Sequence, residues 1–188
     1  MPYKLDDINV LIVDDMKPML DLTKAILVAF GFKKIHLAEN GDDALRFAYR
    51  ESLDLIITDH IMNPMDGLEL TEKIRNDPKV QNPYVPIIMM TGFSAKYRVE
   101  KARDMGITEF LVKPFTAKDL YARIQHTIEK PRQFVKTKHF FGPDRRRKIK
   151  EDYEGPRRRE VDTDETDNAP STYAKDILKK LQDEAKRI

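Results

Sequence analysis

The chain has 188 residues, enough for one or two domains, and its 40% hydrophobic content is sufficient for a packed core. It contains no cysteine, which excludes disulfides, thiolate zinc sites and cysteine nucleophiles. No apolar run is longer than the six residues from Ala25 to Phe30, whereas a membrane-spanning helix needs about 20, and the polar start argues against a secretory signal. We therefore expect a cytoplasmic protein without membrane contacts.

Charge is unevenly distributed toward the end of the sequence. Residues 132–159 include eleven basic and four acidic side chains, and residues 160–167 then include five acids. This change of sign indicates a transition from a packed domain to solvated chain. We expect a domain over residues 5–130, a basic and then acidic flexible tail over 131–171, and an amphipathic C-terminal helix over 172–188.

Five short apolar segments alternate with helical patterns before Pro131. The predicted strands, in chain order, are Asn9 to Val13, Ile35 to Leu37, Leu53 to Thr58, Val85 to Met90 and Glu109 to Val112. The segments between them carry apolar residues at helical spacing and include a predicted helix over residues 95–105. Gly31 and Gly106 are expected to end helices, and Thr116 and Asp66 are expected to begin them.

Strands that are apolar on both faces and separated by helices predict a parallel sheet between two layers of helices. Right-handed crossovers then bring the carboxyl ends of all strands to one edge, where open α/β sheets bind ligands. The residues that end four of these strands are polar: Asp14 and Asp15, Asp59, Thr91, and Lys113.

Three carboxylates in one crevice repel each other unless a cation joins them, and a hard dication such as Mg²⁺ suits a few carboxylates. A dication beside a carboxylate, a hydroxyl and a lysine predicts a phosphoryl-transfer site. Any one of these residues alone has a plainer explanation as a turn, a helix cap or a backbone hydrogen bond. Their occurrence at four strand ends favours the functional interpretation.

These motifs resemble the receiver domain of two-component response regulators, in particular the chemotaxis-type single-domain receiver. The resemblance covers roughly residues 5–130 and implies a flavodoxin-like, doubly wound (βα)5 fold. The motifs that carry it are Val10-Leu-Ile-Val-Asp14-Asp15, Asp54-Leu-Ile-Ile-Thr-Asp59, Met65-Asp66-Gly67, Ile88-Met-Met-Thr91-Gly92 and Phe110-Leu-Val-Lys113-Pro114-Phe115.

The resemblance implies that Asp59 accepts a phosphoryl group from a histidine kinase or a histidine phosphotransfer protein. It also implies that Asp14, Asp15, Asp59 and the backbone carbonyl of Ile61 hold Mg²⁺ or Mn²⁺. Further implied roles are phosphoryl binding by Thr91 and Lys113, a switch formed by Thr91 and Phe110, and a cis peptide bond before Pro114. The chain would catalyse only its own phosphotransfer.

Two residues near the acceptor need separate interpretation. Receivers usually carry proline four residues after the acceptor, but Asn63 occupies that position here and Pro64 follows. Because proline restricts the residue before it, the metal-binding loop is expected to differ locally. His60 adjoins the acceptor, but strand alternation directs its side chain away from that of Asp59, so we expect it to be structural.

The tail contains a degenerate Gly-Pro-Arg repeat whose arginines are Arg145, Arg146, Arg147, Arg157, Arg158 and Arg159. This composition predicts an extended, solvated segment. We expect output by binding an unknown protein, with the arginines as a second contact. The alternative is a receiver whose arginine-rich tail binds nucleic acid, which we favour less because few aromatic residues are available to stack on bases.

Overall fold

The protein is described by a computed structural model that covers residues 5–92, 105–136 and 140–144. The strands are β1 (Asn9–Val13), β2 (Lys34–Ala38), β3 (Leu55–Asp59), β4 (Ile87–Thr91), β5 (Glu109–Val112), β6 (Phe134–Lys136) and β7 (Phe141–Pro143). The helices in the described part are α1 (Lys17–Ala29), α2 (Gly41–Arg50), α3 (Gly67–Asn76) and α4 (Ala117–Glu129).

The first five strands form one parallel sheet with the order β2-β1-β3-β4-β5, which confirms the predicted flavodoxin-like fold. Two apolar clusters cover its faces. One packs α2 and α3 against the sheet, and the other packs α1 and α4 against the opposite face. The strand order reverses between β1 and β3, so their carboxyl ends border the crevice where such sheets bind ligands.

Local sequence signals set the ends of the helices. Asp66 and Thr116 each begin a helix with a complete capping box, as predicted. Asn40 begins α2 by accepting a hydrogen bond from the Asp43 backbone N–H. Gly31 has a φ of 98° directly after the cap of α1, where residues with a β-carbon are strained.

Two strands begin later than the apolar pattern predicts. β3 begins at Leu55 rather than Leu53, and β4 begins at Ile87 rather than Val85. Val85 is buried but is followed by Pro86, which has no N–H to donate to the sheet and contributes only its carbonyl. Burial therefore extends beyond the hydrogen-bonded strand.

The segment after α4 departs from the predicted solvated tail. β6 and β7 pair antiparallel, with Val135 opposite Gly142, and Gly142 is buried. The centroids of the Phe134 and Phe141 rings lie 5.3 and 5.1 Å from the centroid of the Tyr84 ring. The prediction of a flexible tail is therefore wrong for residues 131–136 and 140–144, because their aromatic side chains pack on the receiver.

This hairpin covers a buried arginine. The Arg75 guanidinium donates one hydrogen bond to the Pro83 carbonyl at 2.6 Å and two to the Gly106 carbonyl at 3.0 and 3.2 Å. Its central carbon lies 5.0 Å from the centroid of the Phe134 ring. Burial lowers the pKa of Arg75 to about 9, so the side chain stays charged at neutral pH. Arg132 extends the contact with the receiver by approaching Glu109 at 3.5 Å.

Several predictions fall outside the described residues. These are most of the predicted helix over 95–105, the arginine repeat and the helix over 172–188. Within the described part of the chain, none of the helices has the length and apolarity needed to cross a bilayer.

Candidate functional site

The structure brings the predicted polar residues together at the carboxyl edge of the sheet. Asp14 and Asp15 follow β1, Asp59 ends β3, Thr91 ends β4, and Lys113 follows β5. Asp14, Asp15 and Asp59 each offer an oxygen, and these oxygens lie within 4.8 Å of one another. A set of carboxylate oxygens this close fits a hard dication such as Mg²⁺ or Mn²⁺.

The three acids differ in their access to solvent. Asp14 is completely buried, Asp15 is exposed, and the Asp59 side chain retains 13% of its accessible surface. Burial raises the pKa of the Asp14 carboxyl, while the Met16 backbone N–H, at 2.9 Å, and Lys113 act in the opposite direction. The Met16 N–H and the Lys113 ammonium therefore offset part of the cost of burying a charge on Asp14.

Lys113 supplies a positive charge between two of the acids. Its ammonium Nζ lies 3.0 Å from Oδ2 of Asp14 and 2.9 Å from Oδ1 of Asp59. Burial acts to lower the pKa of Lys113, but the hydrogen bonds to Asp59 and Asp14 outweigh it and the pKa is raised. Lys113 is thus a cation in contact with both carboxylates.

A glycine allows the backbone at Asp59 to lie close to the start of α3. A β-carbon on Gly67 would lie 2.2 Å from the Asp59 carbonyl oxygen, closer than such atoms approach in proteins. The Gly67 N–H donates to the His60 carbonyl at 2.9 Å. Asp66-Gly67 is expected above as a helix start and as part of a receiver motif, but neither expectation includes the close approach of Gly67 to the backbone of β3.

The loop between Asp59 and α3 contains Asn63 and Pro64, where the sequence departs from the usual receiver pattern. Ile61 is 57% exposed, and the use of its carbonyl as a metal ligand stays a prediction. The Asn63–Pro64 peptide bond is cis, as is the Lys113–Pro114 bond.

The two predicted switch residues lie on the last two strands of the sheet. Thr91 is 4% exposed, and its carbonyl accepts the Lys113 N–H at 2.8 Å. Phe110 is half-buried, packs against the apolar cluster beneath α2 and α3, and pairs with Met89 in the sheet. Their switching roles stay predictions.

His60 contacts one of these residues. Its ring Nδ1 lies 3.2 Å from the hydroxyl oxygen of Thr91. Strand alternation indicated that the ring turns away from Asp59, but it gave no indication of this partner, which is 31 positions away in the sequence.

Comparison with known proteins places this site in a family. Residues 10–125 match the model of the response regulator receiver domain. Chemotaxis protein CheY-3 of Vibrio cholerae is 30% identical over 124 residues, which cover 66% of this chain and 94% of that protein. Chemotaxis protein CheY of Pseudomonas aeruginosa is 30% identical over 122 residues, covering 65% of this chain and 97% of the relative.

Solved structures show the same similarity. Chemotaxis response regulator CheY4 of Vibrio cholerae matches with a TM-score of 0.59 and 28% identity over 63% of this chain and 97% of that one. The receiver domain of sensor histidine kinase PA1611 from Pseudomonas aeruginosa matches with a TM-score of 0.56 and 28% identity, covering 63% and 94% of the two chains. That structure has a magnesium ion coordinated in its active-site cleft.

The acidic trio and its lysine occupy the crevice of a receiver fold, and nothing in these matches supports the nucleic-acid alternative. The chain therefore belongs to the response regulator receiver domain family and is a phosphorylation-dependent response regulator of two-component signalling.

Proposed function

We propose that Asp59 accepts the phosphoryl group from a phosphohistidine of a histidine kinase or phosphotransfer protein in the cytoplasm. The observation that carries this assignment is the position of Lys113, whose ammonium joins the Asp59 carboxylate to the buried Asp14. Asp14 is enclosed and already bonded to the Met16 N–H, and Asp15 is exposed to solvent. Asp59 is partly accessible to a phosphoryl donor and also lies beside the Lys113 ammonium.

The transfer consists of one substitution at phosphorus. A carboxylate oxygen of Asp59 attacks the phosphorus, a P–O bond forms, and the P–N bond to the donor imidazole breaks, with its electron pair returning to the ring nitrogen. Most of the catalysis in such transfers comes from positioning and from neutralising charge on the phosphoryl oxygens. Lys113 performs the second task from the side of β5.

Asp14, Asp15 and Asp59, with the Ile61 carbonyl as a further ligand, would hold a divalent cation. When bound, that cation supplies a second positive charge to the phosphoryl oxygens. Asp14 contributes to this cation site from a position of complete burial, where its pKa is raised by desolvation. Cation binding and phosphorylation are therefore expected to depend on the same acids.

The phosphorylated chain signals by binding an output protein. Thr91 and Phe110 lie on neighbouring strands, so a change at Thr91 is transmitted to β5 through the sheet and its packing. The arginine-rich segment beyond Asp144 is a second contact with an acidic partner. The chain catalyses only its own phosphotransfer in this scheme.

The test is phosphoryl incorporation measured by intact-protein mass spectrometry after incubation with acetyl phosphate and Mg²⁺. Wild-type protein is expected to gain one phosphoryl group, and Asp59→Asn or an excess of EDTA is expected to abolish the gain. Asp66→Asn is the matched control, because it neutralises a nearby carboxylate and asparagine still caps α3. Normal labelling of Asp59→Asn would refute the assignment.

A further inference from the structure

The contact between His60 and Thr91 joins the acceptor strand to the strand that ends in the switch threonine. Asp59 pairs with Met90 in the sheet, so the next residues, His60 and Thr91, lie side by side at the edge of the crevice. The ring Nδ1 and the threonine Oγ1 are 3.2 Å apart, within hydrogen-bonding distance. His60 is half-buried and Thr91 is 4% exposed, so the contact is largely shielded from water.

The backbone on both sides of this contact is held in place. The His60 N–H donates to the Met90 carbonyl at 2.9 Å, and the His60 carbonyl accepts the Gly67 N–H at 2.9 Å. The Thr91 carbonyl accepts the Lys113 N–H at 2.8 Å. The hydroxyl of Thr91 can therefore change its direction mainly by rotation about χ1, which has only a few preferred values for a β-branched residue.

Strand alternation directs the neighbouring side chains of Asp59 and His60 to different sides, so a Thr91 hydroxyl in contact with His60 is directed away from the Asp59 carboxylate. We infer that His60 is a positioning residue that holds the Thr91 hydroxyl in its unphosphorylated rotamer until a phosphoryl group on Asp59 competes for it. This inference rests on the proposed role of Asp59. On this account, His60 sets the rotamer that the Thr91 side chain adopts before Asp59 is phosphorylated.

The cost of breaking this contact reduces the affinity of the site for a phosphoryl group. A hydrogen bond of this kind contributes about 1 kcal/mol, equivalent to about fivefold in an equilibrium constant. His60→Leu removes the ring nitrogen while keeping an apolar side chain. His60→Asn keeps a polar atom near the position of Nδ1 and is the conservative variant.

The experiment measures the affinity for trifluoroberyllate, a stable mimic of a phosphoryl group on a carboxylate, in the presence of Mg²⁺. His60→Leu is expected to bind about five times more tightly than wild type, and His60→Asn is expected to bind as wild type does. In a Thr91→Val background the His60→Leu effect is expected to vanish, since the contact that it removes is already absent. The ¹³C shift of the Thr91 methyl group, which reports χ1, is expected to move toward the bound value in free His60→Leu.

The outcomes separate this inference from the proposed function. Unchanged or weaker binding by His60→Leu, or the same gain in the Thr91→Val background, would overturn the role of His60. An unmoved Thr91 methyl resonance would also overturn it. Absence of saturable binding to wild type, or binding that survives Asp59→Asn, would instead overturn the assignment of Asp59 itself.

Discussion

Phe134→Ala tests whether the hairpin after α4 is part of the receiver fold. The Phe134 ring packs edge-to-face on Tyr84 and lies 5.0 Å from the Arg75 guanidinium carbon, which belongs to a side chain that is 3% exposed. Removing it takes away a half-buried aromatic side chain and both of these contacts. The loss is therefore expected in the free energy of unfolding of the receiver, although residue 134 lies beyond its last helix.

The magnitude follows from these contacts. A fully buried Phe→Ala change costs about 3–5 kcal/mol, and partial burial reduces this to about 2 kcal/mol. The ring pair with Tyr84 and the desolvated contact with Arg75 each add about 0.5–1 kcal/mol. We expect a total loss of about 3 kcal/mol for Phe134→Ala, and about half of that for Phe134→Leu, which keeps most of the apolar area.

Urea unfolding followed by circular dichroism measures this change. The midpoint is expected to fall while the slope of the transition stays constant, because the fold is unchanged. Lys136→Ala is the matched control on the same strand. Its side chain is exposed and its ammonium lies 5.5 Å from the Phe141 ring, so a loss below about 1 kcal/mol is expected. If Phe134→Ala loses no more than Lys136→Ala, the ring is not packed on the receiver and the reasoning fails.

Three further substitutions test the site and its supports. Gly67→Ala places a β-carbon 2.2 Å from the Asp59 carbonyl oxygen, so we expect the free energy of unfolding in urea to fall by about 1–3 kcal/mol and phosphoryl labelling to be slower. Gly92→Ala is the control, because its β-carbon meets no atom within 4 Å, and it should match wild-type stability. Lys113→Ala leaves the buried Asp14 with one charged partner fewer, so it should lower the free energy of unfolding by about 1–3 kcal/mol. It should also abolish the phosphorylation-induced amide shifts near Thr91 and Phe110, and full shifts in NMR spectra would contradict the role of Lys113. Asn40→Ala removes the cap of α2 and should cost about 1 kcal/mol without changing phosphoryl labelling; altered labelling would show that the cap and the site are coupled.

The alternation of apolar strands and helices was sufficient to predict the sheet and the meeting of its polar strand ends. The three central strands, β1, β3 and β4, are buried on both faces, so their composition is dominated by the core, and the crossover rule then places the carboxyl ends of all five strands together. Asp14, Asp59 and Lys113 could be assigned to one site because each directly ends or follows a strand. Local signals also sufficed for the helix starts at Asp66 and Thr116.

The contacts that were missed connect residues far apart in the sequence without a local signal at either end. In the sequence, Phe134 and Phe141 are aromatic residues in a charged tail. Their partner Tyr84 lies in the loop that precedes β4, and Arg75, which contacts Phe134, lies in α3. The sequence pattern gives no indication that Arg75 is buried, because burial of a guanidinium depends on carbonyls that converge only in the fold.

The most direct test of the central claim is to trap the phosphorylated carboxylate chemically. Borohydride reduces an acyl phosphate to an alcohol, so the residue that carries the phosphoryl group is converted from aspartate to homoserine. Peptide mass spectrometry after labelling with acetyl phosphate and Mg²⁺ is then expected to show homoserine at position 59, and none when EDTA is present during labelling. Conversion at Asp14 or Asp15, or phosphoryl incorporation without conversion at Asp59, would contradict the account.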